Sequence, residues 1–284
     1  MRIGIDSYSY HRLLGEIRPG EREVSECIFG LSEMLAEMIA AGAEVVSLET
    51  VFLGAPDRLD LGVLRNDGRA CDLVLAWGHP LGLHWGARPE MLADLLTWIG
   101  VARNVGASLV RCVAAGPALA HIPRDRRFAD TVNVLRVAVT EAEAAGVALA
   151  LENHADVDGA ELAALLDAVP GLLVCLDTAN ALRVGDDPVA LARSVADRVA
   201  MVHLKDVAQP SPHDGLVGPV SVPYGEGVID LDGVLAALDP IGDRAVCVEL
   251  GHLGGGMVDE RAWVRDGVSW LRHWRSEEPR TSPR

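Results

Sequence analysis

Eight short apolar runs recur along this chain, separated by longer and mostly amphipathic segments. They are RIGID (2–6), EVVSLE (44–49), LVLAWG (73–78), SLVRCV (108–113), ALALEN (148–153), LLVCLD (172–177), VAMVHL (199–204) and AVCVEL (245–250). Runs that are apolar nearly throughout suit parallel strands covered on both faces. Helical patterns lie between them at 26–42, 89–106, 128–146, 158–169 and 188–199. Several of these end in Gly just before the next run, where a left-handed helix C-cap is expected. The patterns at 158–169 and 188–199 open beside Asp, the second with Pro in its first turn. Eight βα repeats in about 270 residues predict an α/β fold, a single-domain (β/α)8 TIM barrel over 1–275, near the typical ~250 residues. An open doubly wound sheet would carry a Gly-rich phosphate loop after the first strand, and DSYSYHRLLG is not one. Residues 276–284 read as a disordered tail. The Pro- and Gly-rich insert at 206–230 falls after the seventh strand and reads as a lid or pocket wall.

Half of the 284 residues are hydrophobic, enough for a large core. The formal net charge of −16 disfavours a nucleic-acid partner and favours solubility. Five cysteines, Cys27, Cys71, Cys112, Cys175 and Cys247, form no CxxC pair. Cys112, Cys175 and Cys247 sit in apolar runs as small hydrophobes. An odd, unclustered set fits a reducing cytoplasm. MRIGIDSYSY shows no apolar signal region, and no run approaches the ~20 apolar residues of a membrane span. The expectation is a cytoplasmic protein with no membrane partner. A homo-oligomer is compatible with the sequence, and no interface is legible in it.

Four of the runs end in potential metal ligands: Glu152, Asp177, His203 and Glu249. A carboxylate at the end of a buried strand is costly unless it is paired or bound to metal. If the four strands are neighbours, the side chains converge at the barrel's C-terminal face, where catalytic groups lie. Three carboxylates and one imidazole suit a single divalent ion, Mn²⁺ or Mg²⁺ first, with Co²⁺ or Zn²⁺ as alternatives.

The segments LENH (151–154), CLDTAN (175–180), VHLKD (202–206) and VEL (248–250), with YGEGVID (224–230), resemble the sugar phosphate isomerase/epimerase family of xylose isomerase-like TIM barrels. The resemblance covers nearly the whole chain. It implies that Glu152, Asp177, His203 and Glu249 hold one divalent ion, and that Glu152 and Glu249 double as acid/base groups. The implied chemistry is proton abstraction beside a carbonyl, through an enediolate, on a carbohydrate or keto-polyol. Epimerases of the D-tagatose 3-epimerase type carry a substrate-gripping histidine where this chain has Asn180, and an arginine where it has Gln209. Those departures keep open a dehydratase or lyase acting on a keto-cyclitol, 3-keto sugar or dehydroshikimate-like substrate. An endonuclease IV-like nuclease and a non-catalytic sugar-binding barrel are the remaining alternatives.

Candidate substrate contacts are Lys205, two residues past His203 and on the same pleat face, His154, likewise two past Glu152, and Asn180. His79, His84 and Trp85 follow the third strand and are expected as a pocket wall, with Tyr8 after the first. His11 and Glu49 are further lining candidates. Arg111, inside a strand, is expected to pair with a buried carboxylate. His213 and His252 are weaker candidates in Gly-rich surroundings.

Overall fold

The computed structural model describes residues 1–22, 30–67, 70–116, 119, 121–210 and 218–277. Eight parallel strands close into a barrel: β1 (Arg2–Asp6), β2 (Val45–Glu49), β3 (Asp72–Ala76), β4 (Leu109–Cys112), β5 (Ala148–Glu152), β6 (Leu173–Asp177), β7 (Val199–Leu204) and β10 (Ala245–Val248). They neighbour one another in chain order, and β10 closes against β1. Two short strands, β8 (Val207–Ala208) and β9 (Val220–Ser221), form an antiparallel pair inside the 206–230 insert. Residues 211–217 of that insert and most of the expected tail lie outside the described residues.

The helices are α1 (Leu31–Ala41), α2 (Leu61–Asp67), α3 (Pro89–Val105), α4 (Arg124–Ala145), α5 (Gly159–Ala168), α6 (Thr178–Arg183), α7 (Pro188–Val195), α8 (Leu231–Ala237) and α9 (Glu260–Ser276). Gly42, Gly106 and Gly146 end α1, α3 and α4 in the left-handed region, as the sequence predicts. Asp158 and Asp187 accept backbone N–H groups at the starts of α5 and α7. The short helix α6 lies outside the sequence-based expectation. Six residues are too few to show an apolar period, and its start is set by the Asp177 side chain capping Asn180 N–H at 2.7 Å.

Strand periodicity sorts the residues into two cores. Val45, Val74, Leu109, Ala150, Cys175, Met201, Ala245 and Cys247 fill the barrel interior as one cluster. The alternate residues face outward and join the helices in the larger core. Continuing the inward column to the C-terminal ends of the strands gives Asp6, Glu49, Arg111, Glu152, Asp177, His203, Lys205 and Glu249, all buried. The barrel thus turns from apolar to ionic within one or two residues. Among the described residues no helix is long and apolar enough to cross a membrane.

Candidate metal centre and substrate cavity

Register brings the four expected ligands together. Asp177 pairs across the sheet with His203, and His203 with Cys247, two residues before Glu249. Ligand atoms of Asp177, His203 and Glu249 lie within 4.8 Å of one another. Glu152, Cys175 and His203 form an overlapping group of the same size. The Cys175 thiol is a member the sequence reading treated as a plain hydrophobe, and burial pushes its pKa up to about 11.

The donor set fits a divalent cation. Asp177 Oδ2, Glu249 Oε2 and both ring nitrogens of His203 are buried without a hydrogen bond of ordinary geometry. Even so, His203 Nδ1 approaches Glu249 Oε2 at 2.5 Å and Glu152 Oε2 at 3.9 Å. Among the described residues, five buried carboxylates, those of Asp6, Glu49, Glu152, Asp177 and Glu249, face two permanent buried cations, Arg111 and Lys205, with the His203 ring between them. Crowded anions of this kind need added positive charge or protons. Burial accordingly raises Asp6 and Asp177 above their ordinary value and Glu49 to about 8, against the pull of nearby cations. Burial would raise Glu249 too, but the His203 ring and the Lys205 ammonium outweigh it and hold that carboxyl below its ordinary range.

Each expected ligand is fixed by neighbours. Asp177 gives Oδ1 to the α6 cap, while Oδ2 meets Lys205 Nζ at 2.7 Å. Asn153 extends the sheet by bonding both the N–H and the carbonyl of Asp177, at 2.7 and 2.8 Å. Glu152 takes Asn180 Nδ2 at 3.0 Å and faces Arg111 Nε at 3.0 Å. Arg111 also ion-pairs with Glu49, as expected for a buried arginine. Lys205 reaches Glu249 Oε1 at 2.8 Å. Asp206 gathers the N–H groups of Gly225, Gly227 and Ile229 and so shapes YGEGVID. A side chain at Gly227 would strike the Asp206 carboxylate and the Val207 carbonyl, so only glycine fits there.

Asp6 holds the far side of His203. Its Oδ2 lies 3.5 Å from Nε2 and accepts Ser47 Oγ–H at 2.5 Å. With a cation bound, a proton kept on Nε2, facing Asp6, would leave the Nδ1 lone pair free for the ion beside Glu249 and Glu152. Asp6→Asn keeps the volume and the Oδ1 bond to Tyr8 N–H but removes the charge that orients the ring. We expect apparent metal affinity to fall about 10- to 100-fold. Isothermal titration with Mn²⁺ checks this, and unchanged affinity removes Asp6 from the role.

A cavity of about 400 Å³ opens above the centre. Glu49, Arg111, Glu152, Lys205, Glu249, Asn180, His154, His79, Tyr8 and His252 all line it. His154 lies 3.8 Å from Asp156, and burial, with the Lys205 and Arg111 charges, lowers its pKa to about 4. The Tyr8 hydroxyl bonds Glu16 at 2.6 Å and accepts from Arg18 at 2.7 Å. His11 is buried behind Tyr8, stacked on its ring and held by Glu21, so it supports the wall rather than forming it.

His84 and Trp85 are the expectation that the structure corrects. Neither lines the cavity. Both adopt left-handed backbone conformations, and the loop turns Trp85 inward to 2% exposure. Its indole N–H reaches the Leu119 carbonyl at 3.0 Å, and the Arg127 guanidinium sits 3.5 Å from the ring centroid. Burial of a large aromatic face against a cation wins over a place in the pocket wall. His213 lies outside the described residues. Sequence reasoning missed Arg18 and Arg183, which line the cavity from loop and helix positions with no periodic signal.

Residues 64–274 match the family model described as xylose isomerase-like TIM barrel. The chain is 25% identical to 3-oxo-isoapionate decarboxylase of Pectobacterium atrosepticum over 278 residues, 96% of this chain and 93% of that protein. Among solved structures, the probable 3-DHS dehydratase of Bacillus anthracis superposes with TM-score 0.72 at 15% identity, covering 96% of this chain and 99% of that one. L-ribulose 3-epimerase superposes with TM-score 0.71 at 18% identity, covering 99% of both. At such identities these two likenesses speak to the fold.

Proposed function

Because the chain belongs to the xylose isomerase-like TIM barrel family, we propose that it is a divalent-metal-dependent isomerase or epimerase of a sugar or sugar derivative. The observation that carries this reading is a pair of cavity-lining carboxylates, Glu152 and Glu249, each held by its own cation. Glu152 ends β5 and Glu249 follows β10, strands separated by β6 and β7. Two bases around one site can remove a proton beside a carbonyl and return it from a second direction. Glu152, Asp177, His203 and Glu249 would hold the ion, Mn²⁺ by preference for this oxygen-rich set. When bound, the ion supplies Lewis-acid polarisation of the substrate carbonyl. The Lys205 ammonium stands beside Glu249 and stabilises negative charge as an enediolate develops.

A second reading is a lyase, favoured by the near end-to-end match to a 3-oxo-isoapionate decarboxylase. Loss of CO₂ from a 3-oxo acid leaves the bonding pair as an enolate, which the same cations would stabilise before a glutamic acid returns a proton. Incubation in D₂O separates the two readings. Ketoses and keto-polyols recovered with deuterium beside the carbonyl support the first. CO₂ or an unsaturated product from 3-oxo sugar acids or dehydroshikimate supports the second.

The metal is tested by melting. Protein stripped by chelator and then given Mn²⁺, Mg²⁺, Co²⁺ or Zn²⁺ gains melting temperature if the folded state binds the ion. We expect a clear Mn²⁺ shift in the native protein and none in Asp177→Ala. A native protein indifferent to all four ions overturns the metal assignment.

A further inference from the structure

The charged lining of the cavity is paired almost completely. Arg18 faces Glu16 at 3.9 Å, Arg111 bridges Glu49 and Glu152, and Lys205 holds Glu249 and Asp177. Arg183 is the exception. It lines the cavity, yet among the described residues no carboxylate stands within ion-pair distance of it. Its guanidinium donates one long bond, 3.5 Å, to Asn180 Oδ1, and Asn180 in turn donates to Glu152. Arg183 is therefore linked to the base through one amide, its one side-chain hydrogen bond among the described residues.

Position gives the group a use. Arg183 ends α6, whose first turn is capped by Asp177. At 1.5 Å per residue the six steps from Asp177 to Arg183 rise ~9 Å, and the exposed Arg183 side chain reaches back to Asn180 at the rim of the cavity. Arg183 also lines a second cavity of about 360 Å³ with Leu182 and Gln209, and Val207 and Pro219 border both spaces. A substrate reacting beside Glu152 and Glu249 can therefore place its far end at Arg183. An anion approaching a protein of net charge −16 meets long-range repulsion, and a local unpaired cation is what would receive it.

Resting on the function proposed above, we propose that Arg183 reads the substrate, and that the substrate is a sugar derivative with an anionic group, phosphate or carboxylate, at the end remote from the reacting carbonyl. The competing role for Arg183 is complementing the C-terminal carbonyls of α6, which would affect stability and leave ligand preference alone.

The experiment compares D-sorbitol, D-sorbitol 6-phosphate and D-gluconate by isothermal titration. Each is titrated into native protein, Arg183→Gln, Arg183→Lys, and Arg103→Gln, which makes the same charge change at an exposed position on α3. Every titration is run with Mn²⁺ and again on protein dialysed free of metal. We expect at least one anionic ligand to bind native protein about tenfold tighter than sorbitol, and that preference to vanish in Arg183→Gln, persist in part in Arg183→Lys and remain in Arg103→Gln. The carboxylate and phosphate arms identify which anion is read. Equal binding of all three ligands to native protein, or no binding of any, overturns the proposal. So does a preference that survives Arg183→Gln, since the anion then sits elsewhere, on the metal included. Absence of a Mn²⁺ response with an intact anion preference sinks the metal reading alone.

Discussion

Glu152→Gln and Glu249→Gln are each expected to lower net substrate conversion by about 10²- to 10⁴-fold, the usual worth of a positioned acid/base group. Neither change strands a buried cation, so both variants should fold. Arg111 still faces Glu49 when Glu152 is neutralised, and loss of the Glu152 charge favours ionisation of Glu49 beside it, while Lys205 keeps Asp177 when Glu249 is neutralised. The informative part is what survives. If two bases serve two proton positions, each variant still exchanges hydrogen with D₂O from the one product or substrate that presents its proton to the remaining carboxylate. Glu152→Gln and Glu249→Gln should therefore show opposite preferences, each labelling one partner of the interconverting pair. Mass spectrometry of each sugar recovered separately reads this directly. Equal loss of exchange from both partners in both variants would mean that the carboxylates act only as ligands. A decarboxylase would give a different pattern again, with CO₂ release dependent on the ion and only the final protonation sensitive to one glutamate.

Much of this arrangement was legible in the sequence, and the reason is geometric. A parallel barrel strand is apolar on both faces until its last inward residue, so Glu152, Asp177 and His203 interrupt an apolar run at a fixed phase, and Glu249 follows one. Period two then places Lys205 and His154 on the same side as their neighbours, and both line the cavity. The failures lie in the loops. Trp85 and His84 follow β3 closely, but two left-handed residues reverse the chain and turn the indole into the core. No pattern in WGHPLGLHWG announces that reversal. Asp6 and Ser47 carried no motif, yet they meet across the β1–β2 ladder and the Asp6 carboxylate faces His203, on a strand that is distant in the chain. Arg183 belongs to a helix too short to show a period. Side chains held by strand phase were readable, and those placed by a turn or a cross-barrel contact were not.

Arg111→Met should be the most destabilising of the single changes, and its cost should depend on pH. The guanidinium is buried between Glu49 and Glu152, and removing one partner from a buried ionic cluster costs about 3–5 kcal/mol. Glu49 sets the pH dependence. Burial raises its pKa from 4.5 to about 8 even with Arg111 pulling it down, so without Arg111 it rises further. A carboxyl that holds its proton in the folded state and loses it when unfolded weakens folding as pH climbs from the unfolded value toward the folded one. Near pH 6 the folded protein keeps Glu49 protonated with or without Arg111, and the variant loses mainly the contact to Glu152. Near pH 9 native Glu49 is ionised against Arg111, whereas the variant must either bury an unpaired carboxylate or hold a proton against the solvent. The stability gap between native and Arg111→Met, measured by urea denaturation of metal-free protein, should therefore widen from pH 6 to pH 9. An equal gap at both values would mean that Glu49 does not hold its proton near neutrality. If Glu152 holds the proposed ion, adding Mn²⁺ should recover part of the loss at either pH, because the ion would supply positive charge to Glu152.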